Sequence, residues 1–204
     1  MPYPAKLYRF GKSDELKDLC PKGHLSFGFA GNYASKDLAK GQRDDETKRT
    51  IAPSPESTKV FVGAGFLQNL TAIGIGLGLA PYFMICFSLN YSEEMYREVD
   101  GDVCIEITDV PAFFHRFKKA LVEQLPAWAA FAAPIQYWDF SHIPPELNQQ
   151  YLRFLKNEAE YASQKEYRIV LLPPEGFQII NPKTRQSVIL GSLEDIASGR
   201  RKVS

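Results

Sequence analysis

An α+β fold in a single domain, 1–204, is predicted by three observations. Segments that read as strands outnumber those with helical periodicity, and no internal repeat is present. The third is size: 204 residues with 45% hydrophobic and 13% aromatic content suit one well-buried core and are short for two.

The elements follow in chain order. KLYRF reads as a short apolar strand, and SDELKDLC as a short helix capped by Ser13 or Asp14 with Leu16 and Leu19 inward. HLSFGFA alternates well enough for a second strand. Residues 36–59 form a charged candidate flexible loop, whose first half reads as a solvated helix and whose Pro-containing end reads as a loop. YFMICFSL is a buried strand and VCIEITD another, separated by a polar turn at Asp100-Gly101-Asp102. PAFFHRFKKALVEQL has apolar residues at helical spacing with Pro111 at its start. IQYWDF then reads as a strand, ELNQQYLRFLKNEAEYAS as a helix and YRIVLLP as a strand. Residues 176–204 read as a C-terminal extension with one further strand, SVILG.

Twenty-four basic residues against twenty-four acidic ones leave no net field, which excludes a general phosphate-coating protein and makes any nucleic-acid contact local. Three cysteines form no even disulfide framework and MPYPAKLYRF lacks an apolar signal core, so a cytoplasmic location is expected. The uncharged run from Val60 to Ser92 is broken by Pro81 and rich in glycine, unlike a bilayer span, and no membrane partner is expected. IGIGLGL has Leu79 where a dinucleotide fingerprint needs its third glycine. Cys20 and His24 lack the further ligands of a zinc site, so no metal is assigned.

Chemistry is concentrated in QKEYRIVL, Gln164–Leu171. On a strand, Gln164, Glu166 and Arg168 project to one face, which sets an amide and a carboxylate side by side. A fixed carboxylate suits reactions in which positive charge develops on a sugar carbon, as in cleavage of the nicotinamide–ribose bond of NAD. In that picture Glu166 grips the ribose and stabilises the cation, while Gln164 orients the acceptor. Arg9 or Arg168 supplies the planar cation for the diphosphate. The plainer alternative makes Glu166 and Arg168 a surface ion pair worth about 0–1 kcal/mol.

The order of Tyr8-Arg9-Phe10, then Phe87-Ser88, then Gln164-Lys165-Glu166 resembles the arginine-serine-glutamate branch of the ADP-ribosyltransferase superfamily. The chain is also similar, from about Leu7 to Leu171, to a bacterial family of uncharacterised domains with LYRF, CFSLN…MY…GDVCIEI and EYR motifs. It departs from that family with AKGQRDDETKR in place of an Asn-Asp-Pro-like loop, Tyr161 where Trp is frequent, and Gln164 where a carboxylate stands.

The resemblance implies a split mixed β-sheet core with flanking helices, and NAD as co-substrate. It implies catalytic Glu166 and Gln164, and NAD-binding Arg9 and Ser88, with Ser26 competing for the serine role and Tyr33 stacking on nicotinamide. It further implies a toxin-type or phage-defence enzyme with an antitoxin or other inhibitory partner. Glutamine at position 164 goes with an acceptor other than protein arginine, a nucleobase amine or a protein amide, with an RNA or DNA base favoured. Two readings stay beside it: a non-catalytic nucleotide- or protein-binding domain of the same fold, and an NAD glycohydrolase using water as acceptor.

Overall fold

A computed structural model describes residues 2–35, 37–39, 44–53, 61–62, 65–66, 74–179, 181 and 183–202. The chain opens with β1 (Leu7–Gly11), the one-turn helices α1 (Ser13–Leu16) and α2 (Leu19–Lys22), and β2 (His24–Phe29), followed by a 3-10 turn over Ala30–Ala34. Then come β3 (Lys48–Ile51), β4 (Phe61–Val62), β5 (Gly65–Phe66), β6 (Ile75–Gly78), β7 (Phe83–Ser88), α3 (Glu94–Glu98), β8 (Val103–Ile107) and α4 (Val110–Gln124). The second half contains β9 (Ala129–Pro134), β10 (Gln136–Trp138), α5 (Gln149–Leu152), β11 (Leu155–Asn157) and α6 (Glu158–Tyr161). A 3-10 turn over Ala162–Gln164 leads into β12 (Glu166–Leu172), β13 (Arg185–Ile189) and β14 (Ala197–Arg201).

Eight strands form the main sheet, in the order β13-β2-β7-β1-β8-β14, with β12 on the other edge of β7 and β9 outside β12. Every pair in it is antiparallel; among the described residues, parallel pairing occurs only between β10 and β11. The α+β expectation therefore holds, and the expected mixture of directions lies outside the main sheet.

The split lies at β7. Its whole length pairs with β12, from Glu166↔Ser88 to Leu171↔Phe83. On the opposite edge, Phe83 and Met84 pair with β2 and Ser88 pairs with Tyr8 of β1, so among the described residues no strand pairs with Ile85, Cys86 and Phe87 there.

One face of the sheet carries the larger core. Asp109 caps α4 through the Ala112 N–H at 2.9 Å, Pro111 fits its first turn, and Phe113, Phe114 and Phe117 pack on Leu25, Phe27, Ile85, Phe87 and Ile169. Each buried phenylalanine contributes roughly 1.5–3 kcal/mol, against about 1 kcal/mol for the cap, so packing dominates the helix's stability.

Several sequence expectations change. SDELKDLC divides into α1 and α2, and ELNQQYLRFLKNEAEYAS breaks into α5, β11 and α6 because Leu155 and Lys156 are drawn into pairing with β10. Residues 37–39 and 44–53 contain β3 and no helix, while the rest of the 36–59 loop lies outside the described residues. The 176–204 extension supplies two strands, both part of the main sheet. β9 was not foreseen.

Candidate functional site

Backbone alternation explains what the split exposes. The Leu89 N–H bonds the Lys165 carbonyl at 2.8 Å, so Phe87, Ile85 and Phe83 direct their backbone groups to β12, and Met84, Cys86 and Ser88 direct theirs to the opposite edge. Met84 and Ser88 find β2 and β1 there. Among the described residues no strand pairs with Cys86 on this edge, and its carbonyl accepts from Arg9 Nη1 at 3.0 Å.

A cavity of about 80 Å³ opens at this point, lined by Arg9, Tyr33, Glu46, Cys86, Ser88, Lys156, Gln164 and Glu166 among others. Arg9 and Glu166 thus share one cavity. Arg9 Nε is buried without a hydrogen-bond partner, and no carboxylate pairs with this guanidinium among the described residues.

Glu166 is held differently from a surface ion pair. It is 4% exposed, with Oε1 2.7 Å from Arg168 Nε and Oε2 2.8 Å from Lys156 Nζ. Arg168, fully buried, grips Glu46 in a fork, Nη1–Oε2 2.7 Å and Nη2–Oε1 2.8 Å, and donates to the Arg153 carbonyl at 2.7 Å. Arg49 Nη2 and the Tyr82 hydroxyl donate to Glu46 at 2.5 and 3.0 Å, and Arg49 Nη1 donates to Asp44 at 3.0 Å. Lys156 lies over the Tyr161 ring at 4.6 Å. Within the network, Arg49, Lys156 and Arg168 face Asp44, Glu46 and Glu166, three cations against three carboxyls. Arg9 is the additional cation.

Gln164 is not in the strand. It ends the 3-10 turn, and Lys165 follows with φ 44° in the left-handed region, so the expected strand alternation starts only at Glu166. The Gln164 amide oxygen still reaches Lys156 Nζ at 3.4 Å. Ser88 Oγ lies 2.8 Å from the carbonyl oxygens of both Asn90 and Gln164, so it fixes the turn that carries Gln164. Ser26 pairs across to Ser187, accepts from Arg185 Nε at 2.6 Å and is not part of the cavity wall. Tyr33 forms part of the wall, and its hydroxyl passes so near Gly28 that a Cβ there would stand 2.8 Å away.

The electrostatics limit the chemistry. Burial works against the Glu166 charge, but Arg168 and Lys156 outweigh it and hold the carboxyl at about 2. Burial also opposes the Lys156 charge, and Glu166 and Glu46 keep it protonated above its ordinary range. Burial pushes the Cys86 thiol and the Tyr33 hydroxyl up to about 12. Cys86 is therefore no thiolate nucleophile, and Glu166 is no proton donor near neutrality. What the cavity offers is a carboxylate ionised near neutrality, a guanidinium without a carboxylate partner among the described residues, and neutral hydroxyl groups.

Glu46, Arg49, Tyr82 and Lys156 were missed from sequence. Nothing local distinguishes Glu46 from its charged neighbours, because the partner that buries it, Arg168, is 122 residues away. Among the described residues no helix is long and apolar enough to cross a membrane. No protein-family model, curated protein or solved structure matches the chain.

Proposed function

We propose that the chain is an NAD-dependent ADP-ribosyltransferase of toxin or phage-defence type, acting at the split of the sheet. The observation that carries this reading is that Arg9, without a carboxylate partner, and Glu166, ionised, line the same cavity from strands at opposite ends of the sequence. Arg9 takes the diphosphate as a charged donor fork. Glu166 faces the ribose carbon as the nicotinamide–ribose bond breaks with its electron pair leaving on nicotinamide, and the acceptor nitrogen then bonds that carbon and loses its proton to solvent. Gln164 stands beside the reacting region and favours a nucleic-acid base over a protein arginine as acceptor. An enzyme that spends NAD on marking macromolecules harms its host, so a restraining partner protein belongs to the same proposal.

One feature favours a second reading, a nucleotide-binding domain without chemistry: both Glu166 oxygens are engaged by cations. One experiment separates the readings. The purified chain is incubated with NAD labelled in its adenylate phosphate and with RNA, DNA and protein pools, and both released nicotinamide and labelled polymer are measured. Transfer predicts label in a nucleic-acid pool and a loss of about 10²–10³-fold in Glu166→Gln, with melting followed to confirm folding. Nicotinamide without labelled polymer makes the chain a glycohydrolase. NAD binding without any release makes it a binding domain, and the absence of both removes NAD from the account.

A further inference from the structure

The main sheet has three ends, β13, β14 and β9, and they are protected unequally. β13 carries Arg185, and β14 carries Arg200 and Arg201 followed by Lys202, the kind of charge that discourages edge pairing. From Pro126 to Ile135, PAWAAFAAPI, β9 and its flanks hold no charge at all.

The free groups on β9 can be assigned. The Ile135 N–H bonds the Glu166 carbonyl at 2.9 Å, one step beyond the pair Tyr167↔Pro134. Alternation then directs the backbone groups of Ala133, Phe131 and Ala129 to β12, and those of Ala132 and Ala130 outward, where no strand pairs with them among the described residues.

We propose that two copies of this chain pair through β9, antiparallel, about a two-fold axis at Phe131, so that their sheets join. Ala129-Ala130-Phe131-Ala132-Ala133 reads the same in both directions, so this axis sets Ala130 opposite Ala132 of the second copy twice over. Both are outward-facing residues, and each such pair exchanges two N–H···O bonds, four in all. Phe131 meets Phe131 of the second copy in the closer, non-hydrogen-bonded kind of pair, which suits an aromatic contact. A strand added at β13 or β14 would instead meet Arg185, or Arg200 and Arg201, charges that discourage edge pairing. A self-complementary patch is what a two-fold interface requires.

Strand pairing alone falls short of the roughly 1,000 Å² that a stable interface buries. An apolar groove of about 540 Å³, lined by Tyr3, Phe114, Ala132, Pro134 and Tyr167, runs beside the edge and provides the remaining contact area. Tyr3 stacks on Phe114 at 5.1 Å and is 54% exposed in the single chain.

The test is the mass of the full chain in solution by sedimentation equilibrium across a micromolar-to-millimolar dilution series. Wild type should be dimeric at the upper end. Ala132→Pro removes an outward N–H and leaves the β12 ladder untouched, so it should be monomeric, with the melting temperature of wild type measured at dilutions where wild type is monomeric too. Should that variant unfold, Ala132→Lys, which only adds a charge at an exposed edge position, replaces it. Phe131→Cys should form an intermolecular disulfide under mild oxidation that wild type, with its three cysteines, does not. A wild type that stays monomeric throughout, or a dimer that survives both Ala132 substitutions, overturns the proposal. A dimer lost in those variants but never cross-linked through position 131 overturns the two-fold register.

Discussion

At the site, Arg9 has no carboxylate partner among the described residues, and Asp44 is a carboxyl that burial pushes upward. Arg9 holds one backbone carbonyl and keeps donors to spare, so Arg9→Met should leave the melting temperature within a few degrees and weaken ADP-ribose or pyrophosphate binding about 10–100-fold. Titration calorimetry checks this, and equal affinity in the variant would remove Arg9 from the phosphate role. Asp44 is raised to about 6, by burial first and the Glu46 charge second, with Arg49, Lys156 and Arg168 opposing. Its folded pKa exceeds its unfolded one, so its contribution favours the fold below about pH 4 and is lost as pH rises through about 6. Two units correspond to about 3 kcal/mol at most. Asp44→Asn should therefore be more stable than wild type at neutral pH, with the gap closing towards about pH 4 in urea titrations. Glu166 has the opposite sign: held at about 2, it contributes stability above its unfolded value of about 4, and this is lost as pH falls towards about 2.

The turn into β12 is the element on which the site's geometry depends, and it was the part least legible beforehand. Strand alternation placed Gln164, Glu166 and Arg168 on one face, and for Glu166 and Arg168 that is correct. Gln164 reaches the same cavity by another route, through a 3-10 turn closed by Lys165 at φ 44°. A left-handed lysine costs about 1–2 kcal/mol relative to an unstrained residue, so Lys165→Gly should raise stability by about 1 kcal/mol. Denaturant titration would show it, and a fall in stability would mean that the lysine side chain makes a contact that outweighs the strain. Local pattern was sufficient for β1, β2, β7, β8, β12 and α4: alternation in β2, short apolar runs bounded by polar turns in the other strands, and helical spacing in α4. It failed for β9, because AAFAAP is poor in β-branched residues, and for β11, where pairing with β10 overrides a helical pattern.

At the scale of the whole molecule, a neutral chain hides a concentrated interior charge. Equal totals of acidic and basic residues say nothing of Glu46, Arg49, Lys156, Glu166 and Arg168 being buried together, because the short-range pairs Arg49–Glu46 and Arg168–Glu166 are gathered into one interior network only by the long-range pair Arg168–Glu46. Glu46 joins the segment 44–51 to the sheet, helped by the Asp44 N–H on the Tyr33 carbonyl at 2.9 Å, while the Leu79 N–H on the Thr47 carbonyl at 2.9 Å extends the β3–β6 pairing. On the proposed reading, a cavity of about 80 Å³ is too small for a dinucleotide, so NAD would need part of the wall to move, and Glu46, which Arg168 holds in a fork, is the member of that wall whose release can be tested. Opening costs free energy that is subtracted from binding, and weakening the clamp returns it, each 1.4 kcal/mol being about tenfold in affinity. Glu46→Gln keeps the shape and removes the charge facing Arg168 and Arg49. The melting temperature should fall, since a broken buried ion pair costs about 3–5 kcal/mol, while ADP-ribose affinity rises. In wild type, saturating ADP-ribose should accelerate hydrogen exchange at the Asp44 and Leu79 amides. A variant that loses stability and affinity together, with those amides equally protected with and without ligand, would show that Glu46 is fixed structure and that the entrance lies elsewhere.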